Sequence, residues 1–173
     1  MRPIHKLRIG LVLLLLHPFP VLAKSSIVTE LQPVGQATLK VFFWTIYDSA
    51  LYSSDGEFRG VQPGLALELD YRRNITKERL IETTREEWQD LDLYSEASEP
   101  WLQQLSGICP DVSKGDVIVL KVDEALHGNF YFNDRFIGAI EDAAFTRDFL
   151  AIWTAENSRF PELRDKLVGA DAD

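Results

Sequence analysis

Three histidines (His5, His17 and His127) and one cysteine (Cys109) are all the imidazole and thiol available to this 173-residue chain. His5 and His17 fall in an amino-terminal segment that reads as a leader, leaving one of each. A structural zinc site takes about four Cys/His ligands and a catalytic one about three protein ligands, so neither can be built. A Ser-His-Asp or Cys-His relay would have to run through His127. No G-x-S-x-G elbow is present, and Cys109 lies between Ile108 and Pro110 with no basic activator beside it, which reads as a buried, inert thiol. Ala125-Leu126-His127-Gly128 reads as a turn between strands. Without a G-x-G-x-x-G or Walker A pattern, nucleotide cofactors lack their usual phosphate cradle, and no cofactor is expected. Glu86-Glu87 and Glu141-Asp142 are expected on a solvated face of an acidic chain. Asn74-Ile75-Thr76 fits a glycosylation sequon, and fits better a strand end followed by a helix cap.

Tyr71 and Arg73 stand at the end of an alternating apolar row, Leu65, Leu67 and Leu69. An Arg closing such a row suits a carboxylate on an apolar tail; the commoner use of a strand-end Arg is to snorkel to solvent. Phe43 and Tyr47 share a strand face with Leu39 and Val41, while Phe42, Trp44 and Ile46 take the other. Each aromatic alone reads first as ordinary core. Together they predict a strand covered on both faces. Asp48, a carboxylate in this apolar run, reads as a local hydrogen bonder or bulge cap.

The elements around these residues follow from periodicity. Gly35 to Tyr52, rich in β-branched and aromatic residues, reads as one extended segment. Ser53-Ser54-Asp55-Gly56 is a turn, and Leu65 to Arg73 is a half-buried strand. Thr76 caps a helix to about Leu91, and Ser98 a short one carrying Pro100. Asp116 to Asp123 is a strand, and Asn129 to Ile140 a hairpin turning at Asn133-Asp134. Asp142 to Glu156 places Phe145, Phe149, Ile152 and Trp153 on one stripe, with Trp88, Trp101 and Trp153 expected as helix-to-sheet packing. Pro161 opens a last helix ending at Gly169. Neighbouring strands on short turns with helices gathered to one side predict an α+β fold, one curved antiparallel sheet under a helical layer.

Residues 1–23 read as a signal peptide. Arg2, Lys6 and Arg8 precede an apolar run from Ile9 to Leu16, Pro18 and Pro20 break it, and Val21-Leu22-Ala23 precedes cleavage before Lys24. Residues 24–173 then form one domain, periplasmic or secreted, with no membrane span after cleavage. The chain carries net charge −9, and loss of the leader's three cations takes this to −12. Such a balance disfavours nucleic acid and docking to membranes by charge. With 46% apolar residues the chain can bury a core, which must hold by packing, since one Cys permits no internal disulfide.

Four segments in order resemble the bacterial chalcone isomerase-like family: Gly35 through Tyr52, Leu69-Asp70-Tyr71-Arg72-Arg73-Asn74-Ile75, Pro110 through Asp116, and Phe149-Leu150-Ala151-Ile152-Trp153 followed by Pro161-Glu162-Leu163-Arg164. The resemblance implies an open-faced β-sandwich whose large antiparallel sheet and helical layer enclose an apolar cleft. Plant isomerases of this superfamily use an Arg and a Thr on the first long strand, with Tyr and Asn on the next helix. Here Tyr47 stands near the Thr position, no Arg occurs between Lys24 and Arg59, and the helix from Thr76 to Leu91 has neither Tyr nor Asn. No catalytic residue carries over. Fatty-acid-binding members of the superfamily clamp a carboxylate with an Arg and a Tyr, which implies ligand contacts at Tyr47, Tyr71, Arg73 and Phe43.

The preferred expectation is a non-catalytic binding or carrier protein for a small apolar ligand such as a fatty acid. The alternatives are an isomerase or lyase using Tyr47, Asp48 or His127, and an envelope protein-interaction module. The first turns on an apolar hollow beneath Tyr71 and Arg73.

Overall fold

The computed structural model of the protein describes residues 25–170; the leader read over residues 1–23 lies outside them. Six strands pair in chain order, each antiparallel to the last: β1 Gln32–Val41, β2 Trp44–Ser53, β3 Ala66–Tyr71, β4 Val117–Val122, β5 Gly128–Phe132 and β6 Arg135–Ile140. Four helices, α1 Lys77–Asp90, α2 Ser98–Ile108, α3 Ala143–Thr154 and α4 Pro161–Leu167, pack on one face. This is the expected α+β, open-faced sandwich.

Local chemistry explains most boundaries. The Thr76 hydroxyl accepts from the Arg79 amide and starts α1. Asp142 caps α3 by accepting from the Ala144 amide at 2.8 Å. Asn133 and Asp134, both at positive φ, make the two-residue turn between β5 and β6. Ser98 departs from its expected role: it lies inside α2, buried, and its hydroxyl accepts from the Ser95 amide at 2.9 Å.

Two expectations need correction. The single extended segment from Gly35 to Tyr52 is a hairpin: Val41 pairs with Trp44 across a two-residue turn, Phe42-Phe43, with Phe42 at φ 54°. No Gly or Asn marks that turn, so an unbroken apolar run concealed it. Of the "half-buried" strand Leu65–Arg73, the part that pairs in the sheet, Ala66–Tyr71, is buried on both faces. Leu67, Leu69 and Tyr71 lie under the helices; Ala66 packs with Val28, Leu31, Ala50, Tyr52 and Val119 on the other side. That second cover is the chain's own residues 25–31, including a 3₁₀ turn at Ser26–Val28, and the buried Glu68 carboxylate accepts from the Ser25 amide at 3.0 Å.

The main core is a run of ring contacts. Trp101, Trp88, Phe145, Phe149 and Trp153 follow one another, and Phe130 joins them from β5. Each Trp of this run has a partner for its N–H, as burial demands: Trp88 donates to the Asp148 carbonyl at 2.8 Å, Trp101 to the Asp142 carboxylate at 3.1 Å and Trp153 to the Tyr47 hydroxyl.

Candidate functional site

Between the sheet and α1, α3 and α4 the core is not filled. A cavity of about 580 Å³ remains, within the range of about 300–1,000 Å³ usual for small-molecule sites. Its floor is Leu67, Leu69, Ile118, Leu120 and Phe130 from the sheet; its roof is Leu80, Leu105, Phe149, Ile152 and Leu163 from the helices. It reaches the surface beside Val41, Arg73, Asn74, Thr76 and Arg79, which line it and are exposed. A second groove between β1 and α4, lined by Gln36, Thr38, Lys40 and Lys166 and sharing Arg159 with the cavity, is more open and more polar.

Tyr47 and Tyr71 face each other directly across the β2–β3 ladder, with ring centroids 6.0 Å apart, edge to face. Trp153 Nε1 donates to the Tyr47 hydroxyl at 2.9 Å. That leaves the Tyr47 proton free to be donated, and among the described residues the Tyr71 hydroxyl has no hydrogen-bond partner. Burial pushes both phenols well above their ordinary pKa. They therefore stay neutral O–H donors at any physiological pH, suited to accepting groups and unsuited to acting as bases.

Three arginines line the cavity: Arg73, Arg79 and Arg159. Arg79 is held by both oxygens of Glu86, at 3.1 and 3.2 Å. Arg159 bonds Glu87 at 3.1 Å and also Asp90. Arg73 differs. Among the described residues it pairs with no carboxylate, and its guanidinium sits over the Trp44 ring, 4.3 Å from the centroid. The backbone around it is well tethered. The Arg72 amide donates to the Ile46 carbonyl at 2.8 Å, Ile75 bridges to Val112, and the Asn74 carboxamide accepts from the Lys114 amide at 3.1 Å. Neither a solvated end nor a buried clamp describes Arg73; it is a stacked, unpaired cation on the cavity rim.

Of the four residues expected at a ligand, Tyr47, Tyr71 and Arg73 line this cavity. Phe43 does not. It is 97% exposed at the tip of the β1–β2 turn, because the reversal at Phe42 takes it off the face it would share with Tyr47 in a single strand. The residues of the isomerase alternative are not brought together. Asp48 accepts from Arg72 Nε at 2.6 Å and from the Thr38 hydroxyl, and it lines the polar grooves, not the cavity. His127 lies in the β4–β5 turn, where its amide donates to Asp123 at 2.9 Å. Cys109, buried in the cavity wall, has its thiol pKa pushed up to about 12 by that burial.

Sequence reasoning missed Trp153 as part of the site. It sits 106 positions from Tyr47, and nothing local distinguishes it from Trp88 or Trp101. The Phe149, Ile152 and Trp153 stripe marked the helix face and not its vacancy.

A model of the chalcone isomerase-like family matches residues 25–169. The chain belongs to that family. Among curated relatives, it is 29% identical over 140 residues to an uncharacterized protein of Haemophilus influenzae, covering 80% of this chain and 68% of the relative. Among solved structures it is similar to a fatty-acid binding protein of Arabidopsis thaliana, with TM-score 0.63, 10% identity, and coverage of 85% of this chain and 91% of that one. At that identity the likeness is one of fold: the chalcone isomerase-like sheet-and-helix sandwich.

Proposed function

We propose that this chalcone isomerase-like protein is an extracytoplasmic binding or carrier protein for a small apolar ligand bearing a carboxylate, a fatty acid being the simplest case. The observation that carries this is the apolar cavity of about 580 Å³ whose rim holds the unpaired Arg73 and whose wall holds two neutral phenols. An acyl tail would displace water from leucine, isoleucine and phenylalanine surfaces, which is favourable. Its carboxylate would gain a charge-assisted bond from Arg73 and neutral donors from Tyr47 or Tyr71. Fatty-acid binding by the Arabidopsis neighbour supports this use of the same fold. The leader read over residues 1–23 supports the extracytoplasmic address.

The test is to recover the protein from the cell envelope, sequence its amino terminus and extract bound lipid under native mass spectrometry. A chain starting at Lys24 and carrying fatty acid is the expected outcome. Protein repeatedly recovered empty, and showing no affinity for added fatty acid, ends the proposal.

A further inference from the structure

The β1–β2 turn carries the most exposed apolar surface among the described residues. Phe42 is 91% exposed, Phe43 97% and Trp44 60%, and Val41 beside them is also exposed. Phe42 holds a positive φ of 54°, a conformation that favours Gly or Asn over a bulky side chain. Two adjacent phenylalanines at a hairpin tip therefore serve neither the turn nor the core. Around the base of the tip stand Lys40, Arg73 and Lys114, all exposed and without ion pairs among the described residues. The one carboxylate there, Asp48, is already held by Arg72 at 2.6 Å.

We propose that the Phe42-Phe43 hairpin tip inserts into a lipid bilayer, with Trp44 at the headgroup level and Lys40, Arg73 and Lys114 against anionic lipid. The chemistry is that of an interfacial anchor: aromatic rings at the point, Trp behind them, cations at the collar. A narrow convex finger offers little area to a second protein, whereas it needs no matching surface to enter acyl chains. The acidic chain as a whole, net −9, is repelled by an anionic membrane, so the local cations orient the approach tip first. Charge alone does not dock the molecule; the rings do. Arg73 belongs both to this collar and to the cavity rim, and Val41, next to the tip in sequence, also lines the cavity. A fatty acid could thus pass between bilayer and cavity along the hairpin, a use that rests on the binding function proposed above.

The experiment is flotation with vesicles of phosphatidylethanolamine and phosphatidylglycerol, comparing wild type with Phe42→Gly/Phe43→Asn. Gly-Asn suits a turn with positive φ at its first position, so the fold is retained. Lys40→Glu/Lys114→Glu is the second variant. Wild type is expected to float; the turn variant is expected to bind vesicles at least about tenfold more weakly at an unchanged melting temperature. The charge variant should bind anionic vesicles more weakly than wild type, and wild type should lose part of its binding in high salt. Equal flotation of wild type and turn variant, no flotation by wild type, or a wild-type dimer that the turn variant dissolves would each overturn the proposal. Affinity for cis-parinaric acid in vesicle-free solution, expected to be the same in wild type and turn variant, separates failure of the tip from failure of the cavity.

Discussion

In the proposed site, Arg73 and the tyrosine pair would do different work on one ligand group. Tyr71 is buried and Tyr47 largely enclosed, and both are neutral, so they can supply directional donors but no charge; Arg73 supplies charge at the rim. Arg73→Ala should weaken binding of a long-chain fatty acid about tenfold, the low end for a charge-assisted bond because the site is open to solvent. It should leave affinity for the corresponding alcohol nearly unchanged. Tyr47→Phe keeps the ring and strands the Trp153 N–H, and should weaken acid and alcohol alike. Titration of both ligands on both variants distinguishes the roles, and equal losses of acid and alcohol on Arg73→Ala would contradict the assignment. The place of Tyr71 on one face with the leucines was legible from alternation, whereas Arg73, beyond the end of β3, read first as a snorkelling strand-end residue and entered the site through the family resemblance. Trp153 was not legible, because its bond to Tyr47 spans two elements whose packing no local pattern encodes.

At the scale of elements, the strands and helices follow from caps, turns and period, and the misreading occurred where turn chemistry was unorthodox. Asn133-Asp134 announces its hairpin; Phe42-Phe43 does not, and one strand was read where two exist. That same error placed Phe43 at the ligand. Burial of β3 on both faces was equally unreadable, since Glu68 and Asp70 made one face look wet. β1 carries a further constraint. A methyl group added at Gly35 would lie 2.1 Å from the Lys166 carbonyl and 2.7 Å from that of Leu167, in the last turn of α4. Backbone cannot yield as a side chain can. Gly35→Ala should therefore lower stability by about 1–3 kcal/mol and loosen α4, read as a lower denaturation midpoint with faster amide exchange in 161–167.

For the molecule as a whole, pH acts through two opposed sets of carboxylates. Burial raises the pKa of Asp70 and Glu87, the latter against the nearby Arg159. The folded state then keeps protons that the unfolded chain releases, so stability from this source is full below the ordinary carboxylate range and is lost as pH rises through the raised values. Asp55, held at about 2 by the Arg59 hydrogen bond, and Glu99, lowered by Arg85, act in reverse: their contribution is present above the ordinary range and is lost as pH falls. Glu87→Gln removes one member of the first set. The melting temperature of this variant should fall less than that of wild type as pH rises above the ordinary carboxylate range, and an unchanged slope would show that Glu87 carries no such burden.

The strand order has one last consequence. Each strand pairs with the one made just before it, so the sheet can assemble as the chain emerges. The cavity cannot. Phe160 and Leu163, which close one wall, come from the final segment, and α4 must travel back to the very first strand to seat them. The cavity is thus the last thing the molecule acquires, and a chain clipped before Pro161 would own a sheet with an open side where that wall should be.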